Sequence, residues 1–177
     1  EEWGEVEIDE KEKVQIKSWL AWAAIVALPA AIEDDPLYRD LVQTELGKKW
    51  LQSQEKRDLY TDPLLAVLFE LRNYGVHVEL KPGEIRPFQA VLGHGGQLRA
   101  TGKEKRNLGE RFYLAHLEYD DLAELRNIKT GKSKVTREMI EWFNRQASTW
   151  PAEFLLSEAR QRYSRYVSSF LQRHVVK

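Results

Sequence analysis

The sequence contains no cysteine and one methionine, and its longest apolar run has only 14 residues. Without cysteine the chain forms no disulfide and offers no thiolate as a nucleophile or metal ligand. This fits a reducing compartment, and we expect a cytoplasmic protein. The apolar run, residues 19–32, would span about 21 Å as a helix, against roughly 30 Å for a hydrocarbon core. We therefore expect a core helix, no membrane partner and no export signal.

Motifs of several common enzyme classes are also missing. The chain has no GxSxG motif and no evident Ser-His-Asp arrangement. An acidic cluster of Glu118, Asp120 and Asp121 lies close to His116 in the sequence. A metal site is the alternative if Glu118 and Asp120 share a strand face with His116. We favour an exposed strand end, and we predict no metal and no cofactor.

Charge is distributed unevenly, although the net charge is only −1. Residues 1–85 contain 10 Lys and Arg against 18 Asp and Glu, whereas residues 86–177 contain 17 against 10. A basic half can bind a polyanion such as nucleic acid. The same asymmetry is expected if the two surfaces pair across a dimer or simply solvate the domain, so charge alone leaves these alternatives open.

Apolar periodicity predicts three helices in the first half of the chain. The first spans about residues 9–32. The second starts after Pro36, and its apolar face carries Leu37, Leu41, Leu46 and Trp50. The third starts at Asp62 and Pro63, an N-cap followed by a first-turn proline, and continues to about His77.

The central part of the chain, about residues 84–125, alternates like β-strands. Strands are predicted at 85–93, 97–101 and 111–119. The glycine-rich stretch 93–97, which includes His94, is predicted to be a turn, with a phosphate-binding nest as the alternative. Helices return at an N-cap, Thr136, and again after Trp150 and Pro151, where the final helix reaches about His174.

The predicted fold class is therefore α+β, mainly α. We expect one domain over residues 1–177, with about five helices in a bundle and a small antiparallel β insertion at about 84–121.

The third predicted helix ends in an unusual polar group, LRNYGVH, at residues 71–77. Asn73 and His77 are four residues apart and should share a helix face, which the long side chain of Arg72 can also reach. Gly75 leaves room for a phosphate or another backbone. His77 lies near the helix C-terminus, whose negative dipole end favours imidazolium. The group combines a fixed cation with a side chain that exchanges protons near neutral pH.

Such a group can cleave RNA without a metal. A histidine can remove the proton of a ribose 2′-hydroxyl or protonate the departing 5′-oxygen, and an arginine can offset the charge on the phosphorane. One histidine cannot do both in the same step, but a second copy from a two-fold partner could supply the other. The structural alternative pairs Arg72 with Glu70 or Glu79 and makes His77 a helix C-cap.

The stretch RNYGVH, residues 72–77, resembles the R-N-x-x-x-H motif of HEPN domains, an all-helical superfamily rich in metal-independent endoribonucleases. The similarity covers about residues 63–77, where the motif follows an apolar helical stretch as it does in that family. It implies a HEPN-like bundle and a homodimer whose two motifs line one cleft, with Arg72, Asn73 and His77 as the catalytic residues. It also implies a toxin–antitoxin or antiviral defence setting, with an antitoxin or regulatory protein as a further partner. The β insertion departs from the simplest members.

A second Arg-x4-His match occurs at Arg111 and His116. With 14 arginines and 4 histidines in the chain, roughly 0.3 such matches are expected by chance, and roughly 0.01 when asparagine must follow the arginine. The second match lies in a predicted strand, where residues five apart point to opposite faces. We therefore expect Arg111 and His116 not to converge.

Arginines alternate with aromatic residues near the C-terminus. On a helix, Tyr163, Val167 and Phe170 form one stripe, which we expect to face the core. The second, more polar stripe predicts an RNA-binding surface, because arginine beside tyrosine can hold phosphate and stack on an unpaired base. A solvated helix face has the same pattern. The predicted RNA-binding residues are Arg162, Arg165, Tyr166 and Arg173.

Taken with the resemblance, the sequence predicts an endoribonuclease that leaves 2′,3′-cyclic phosphate ends. One alternative is a non-catalytic HEPN-like module that binds RNA or a protein. Another is a plain interaction domain whose acidic and basic halves dimerise or dock on a partner.

Overall fold

The computed structural model of the chain describes residues 40, 43–77, 83–92, 98–99, 102, 105–123 and 126–174. At 72–77, 92, 123, 126 and 127 the description covers the backbone and not the side chains. The predicted helix at 9–32, the turn at 93–97 with His94, and Leu37 and Leu41 of the second predicted helix lie outside the described residues.

In the described part of the chain, three helices precede the sheet: α1 (Glu45–Gln52), α2 (Gln54–Thr61) and α3 (Pro63–His77). Hydroxyl side chains cap the first two, since Thr44 accepts from the N–H of Gly47 and Ser53 from that of Lys56. The second predicted helix is therefore present in its described part as α1, and the short helix α2 follows it before α3. The predicted bounds of α3 are confirmed.

The sheet has three antiparallel strands in the order β2-β1-β3. They are β1 (Glu84–Leu92), β2 (Leu98–Arg99) and β3 (Arg106–Tyr113). Pro87 lies in the central strand, where it has no N–H to donate to a neighbour. The β1–β3 register shifts between Pro87 and Gln89, and this bulge accommodates the proline. The predicted antiparallel sheet is confirmed, and its strands end at Tyr113, earlier than the predicted insertion boundary.

The predicted third strand at 111–119 is wrong in its bounds. The ladder ends where Glu84 pairs with Tyr113, so later residues have no β1 partner and leave the sheet. The polar stretch 106–110, which lies between the second and third predicted strands, pairs with β1. Its side chains are largely exposed, which explains why it lacks the apolar alternation of a half-buried strand.

Four more helices follow: α4 (Tyr119–Ala123), α5 (Arg126–Lys129), α6 (Arg137–Thr149) and α7 (Ala152–His174). Thr136 caps α6 by accepting from the N–H of Met139 at 3.3 Å, as predicted. Trp150 and Pro151 form the corner between α6 and α7, so the predicted start and end of the last helix are also confirmed.

The main core surrounds α3. Residues Leu64–Leu68 are buried without interruption, which places the first turns of α3 in the centre of the bundle, against α2, α6 and α7. A second cluster joins the sheet to the α6–α7 corner, where the Phe88 ring lies 5.9 Å from Trp150 and 5.3 Å from Phe154. The fold is thus mainly helical, with a small sheet attached at one corner.

Helices in the described part of the chain are all too short or too polar to cross a membrane.

Candidate functional site

Helix α3 carries the predicted catalytic residues in its last two turns. Leu71, the last residue of α3 whose side chain is described, is 1% exposed, and the helix continues without a break to His77. Arg72, Asn73 and His77 therefore belong to one helix, and a spacing of four residues puts Asn73 and His77 on one side of it. Their side chains lie outside the described part of the structure, so the alternative pairing of Arg72 is not described either.

The first turn of α3 is fixed by Asp62. Its carboxylate accepts hydrogen bonds from the N–H groups of Leu64 and Leu65, at 3.0 and 3.2 Å. This satisfies two of the donors that a helix N-terminus leaves unpaired. The negative charge also lies at the positive end of the helix dipole. The helix that bears the motif is therefore held firmly at the end opposite the motif.

The same carboxylate joins α3 to α7. The guanidinium of Arg162 donates to both oxygens of Asp62 at 3.2 Å and to Glu158 at 2.8 Å. Burial lowers the pKa of Arg162, but its hydrogen bonds and the charges of Asp62 and Glu158 more than offset this and raise it. Arg162 thus stays charged and ties the two helices together.

Tyr166 completes this junction. Its hydroxyl donates to Asp62 at 3.4 Å. Burial, and then the negative charge of Asp62, raise the pKa of Tyr166 above its ordinary value, so the hydroxyl remains a donor well above neutral pH. The predicted core stripe on this helix is confirmed, since Phe170 is buried and Tyr163 and Val167 pack against the core.

The other two predicted RNA-binding residues differ in their surroundings. Arg173 lies 3.0 Å from Glu55, whose side chain is only 6% exposed. This contact is ionic, because the same carboxylate oxygen, Oε1, accepts no hydrogen bond. Arg165 lies 3.3 Å from Glu158 but keeps 69% of its side chain exposed. Arg162 and Tyr166 therefore contact Asp62. Arg173 contacts Glu55 but keeps 63% of its side chain exposed, and Arg165 faces solvent.

The second Arg-x4-His match does not form a site. Arg111 lies in β3 and pairs with Glu153 of α7 at 3.2 Å. His116 lies beyond the end of β3 and packs against Asn144 of α6, with 3.4 Å between their nitrogen atoms. The predicted separation is supported, but the reason given for it is wrong, because His116 is not in the strand.

The acidic residues near His116 in the sequence do not form one cluster in the structure. Glu118 lies 3.5 Å from His116, whereas Asp120 is in α4 and pairs with Arg137 at 3.1 Å. The expected common strand face is therefore wrong. Within the described part of the chain, no group of three or more His, Asp and Glu side chains could hold a metal ion.

His116 borders a groove of about 510 Å³ between residues 116–119 and α6. Asn144 joins the two walls of the groove. Its side chain accepts from the N–H of Leu117 at 3.0 Å and donates to the carbonyl of Leu117 at 2.8 Å. The groove is lined by both acidic and basic side chains, including Glu118, Arg137 and Arg145. It does not attract ligands of one charge selectively.

The sequence did not reveal the long-range contacts of Asp62 and Asn144. It identified Asp62 as an N-cap but not as the partner of Arg162, because 100 residues separate them. It did not identify Asn144 at all. A lone asparagine in an amphipathic helix gives no signal of a bond to a distant backbone.

The chain matches no protein-family model. Comparisons with curated proteins and with solved structures find no significant match either.

Proposed function

We propose that the protein is a metal-independent endoribonuclease of HEPN type that acts as a homodimer in the cytoplasm. The observation that carries the proposal is the continuity of α3 from the buried core to His77. A helix fixed in the core can hold Arg72, Asn73 and His77 in a constant spacing, and short, rigid spacing favours catalysis by pre-positioned groups.

The proposed reaction breaks one P–O bond and uses no external co-reactant. His77 of one protomer removes the proton from the 2′-hydroxyl, and O2′ attacks the adjacent phosphorus. The bond from phosphorus to O5′ breaks, and the imidazolium of His77 from the other protomer protonates the leaving oxygen. Arg72 holds the scissile phosphate and stabilises the charge of the phosphorane. Asn73 orients the phosphate or the ribose.

The fold supports this assignment through the junction at Asp62. Asp62 connects the first turn of α3 to α7 through Arg162 and Tyr166. Residues Leu64–Leu68 are buried on all sides, so α3 cannot rotate without disrupting the core. The motif helix is thus a rigid element, on which catalytic side chains are held more accurately than on a loop.

A cleavage assay on purified protein in EDTA tests the proposal. Wild type should cleave RNA, and folded His77→Ala should lose at least about 100-fold in rate, the lower range for a general acid or base. His116→Ala is the matched control, since His116 has the same spacing to an arginine but lies against α6. Equal loss in both variants, or none in His77→Ala, would contradict the proposal.

A second candidate is a non-catalytic HEPN-like module that binds RNA or a protein partner. The contacts of Arg162 and Arg173 with acidic residues favour the protein-binding form of this candidate, because cations paired with carboxylates are less available to RNA. This candidate predicts binding that His77→Ala leaves unchanged, with no cleavage by either protein. A defence or toxin–antitoxin setting, with an antitoxin as partner, remains part of the first proposal.

A further inference from the structure

Helix α7 has two polar faces that differ in their contacts. On the inner face, Arg162 and Arg173 lie against Asp62 and Glu55. On the outer face, Arg160 and Arg165 point away from the bundle, and both residues are exposed. Arg162 therefore contributes to the fold, and Arg160 and Arg165 face solvent, whereas Arg173 contacts buried Glu55 with 63% of its own side chain exposed.

The outer face lines a groove of about 640 Å³, and the described residues of that lining all belong to α7. Among the described residues, its lining side chains are all polar, and all can donate hydrogen bonds. They include Arg160, Gln161, Ser164, Arg165, Ser168 and Gln172. The groove thus presents two guanidinium groups, two carboxamides and a row of hydroxyls.

Acidic residues are missing from this part of the sequence. From Ala159 to the last residue, Lys177, the chain contains no Asp or Glu. No carboxylate of the described residues pairs with Arg160. Arg165 has one, Glu158, at 3.3 Å, yet its side chain is 69% exposed. A pair this exposed contributes little and is easily replaced by a phosphate.

We propose that this outer face of α7 binds the phosphate backbone of a single-stranded RNA, with Arg160 and Arg165 as the main phosphate contacts. The proposal rests on the proposed ribonuclease function and names the surface that holds its substrate. It replaces three of the four residues that the sequence pattern predicted for this role, because Arg162, Tyr166 and Arg173 contact the bundle.

The spacing of the face fits an extended polyanion. Gln161, Ser164 or Arg165, Ser168 and Gln172 succeed one another at three to four residues, so each step is about 5–6 Å along the helix. Donors repeat at this interval over three turns. Since hydroxyls and carboxamides contact phosphate or sugar without reading a base, the face should bind RNA with little sequence preference.

The test measures binding of a fluorescent 20-nucleotide single-stranded RNA by anisotropy, in a His77→Ala background that prevents cleavage. The double variant R160Q/R165Q should bind about 10-fold or more weakly at 50 mM salt. The slope of log affinity against log salt should also fall by about 1.4, because each phosphate that an arginine neutralises on a single strand adds about 0.7 to it.

The matched control is R137Q/R145Q, which removes two exposed arginines from the groove on α6. It should change affinity less than about two-fold. Thermal unfolding should be unchanged for R160Q/R165Q, since neither arginine contacts the core. Equal decreases in affinity for the two double variants would mean that only net charge matters and would overturn the proposal, as would unchanged binding by R160Q/R165Q. Displacement of the RNA by polyglutamate at equal charge concentration would also overturn the assignment to RNA.

A cleavage assay separates this proposal from the ribonuclease function. With His77 intact, R160Q/R165Q should raise KM and leave kcat near the wild-type value, because the two arginines hold the substrate equally in the ground and transition states. If wild type cleaves RNA and R160Q/R165Q cleaves with an unchanged KM, the surface is wrong and the ribonuclease stands. If wild type neither binds nor cleaves RNA, both proposals fall.

Discussion

The chain contains two stretches in which an arginine precedes a histidine by five positions, and the structure places them on different kinds of backbone. Arg72 and His77 lie on one helix. Arg111 lies in a strand and His116 in the segment that follows it. On a helix, five residues span about 7.5 Å of rise, whereas an extended chain covers roughly twice that distance.

The difference shows that a residue spacing predicts which side chains can act together only when the backbone conformation is known. In the second stretch, each member has acquired its own partner: Glu153 for Arg111, and Asn144 with Glu118 for His116. In the first stretch, both members lie on one helix, whose first turns are buried in the core. The following predictions test whether the two stretches differ in function as they differ in structure.

The largest difference between the two stretches is expected when the arginine of each is replaced by lysine. Arg72→Lys keeps the charge but removes the two-pronged hydrogen bonding to phosphate, so cleavage should fall about 100- to 1,000-fold. Arg111→Lys should leave cleavage within about two-fold of wild type. Circular dichroism on both variants should show unchanged folding. A similar loss of rate in both variants would remove the distinction between the stretches.

The next largest effect is expected on stability, at Asp62, which fixes the helix of the first stretch. Asp62→Ala removes the cap of α3 and one of the two carboxylates that Arg162 contacts, so it should destabilise the protein by about 2–4 kcal/mol. Asp62→Asn keeps a capping oxygen and should cost about half as much. Urea denaturation measures both variants. A loss below about 1 kcal/mol for Asp62→Ala would contradict the proposed role of this junction.

A smaller loss of stability is expected at Asn144, which holds the segment that contains His116. Asn144→Ala removes both hydrogen bonds to the backbone of Leu117, and should destabilise the protein by about 1–2 kcal/mol. Cleavage of RNA should be unchanged below the unfolding range. Asp120→Ala serves as the control, because its pair with Arg137 is exposed and worth at most about 1 kcal/mol. A rate loss in folded Asn144→Ala would instead connect His116 to the chemistry.

The smallest effect concerns pH. The pKa of Tyr166 is raised, by burial first and by Asp62 second, so the folded state holds this proton more tightly than the unfolded state. The resulting stability is fully present below the ordinary tyrosine pKa and is lost as pH rises through the folded pKa. As the pH rises above about 10, the ordinary tyrosine pKa, wild type should therefore lose stability faster than Tyr166→Phe. Parallel curves of unfolding free energy against pH for the two proteins would contradict this contribution of Tyr166.

Local signals made much of the helical structure predictable. Asp62 followed by Pro63, and Thr136 before an apolar pattern, mark helix starts that the structure confirms. The end of the third strand could not be predicted in the same way. It depends on where β1 begins, at Glu84, and an exposed strand such as 106–110 lacks the alternation that reveals a half-buried one.

The candidate site was predictable only as far as its backbone. The helical setting of Arg72, Asn73 and His77 followed from the apolar run before them. The roles of Arg162 and Arg173 did not, because a polar stripe at helical spacing is the same whether it faces solvent or an acidic neighbour. Their partners, Asp62 and Glu55, are distant in the sequence, and pairings between distant residues leave no periodic signal.

The most direct test of the central claim is the chemistry of the product ends. Single-stranded RNA should be incubated with wild type and with folded His77→Ala in EDTA, and the fragments analysed by mass spectrometry. We predict 2′,3′-cyclic phosphate and 5′-hydroxyl ends from wild type and no fragments from His77→Ala. Fragments that end in a 3′-hydroxyl, or fragments that persist in His77→Ala, would contradict cleavage by the helix α3 motif.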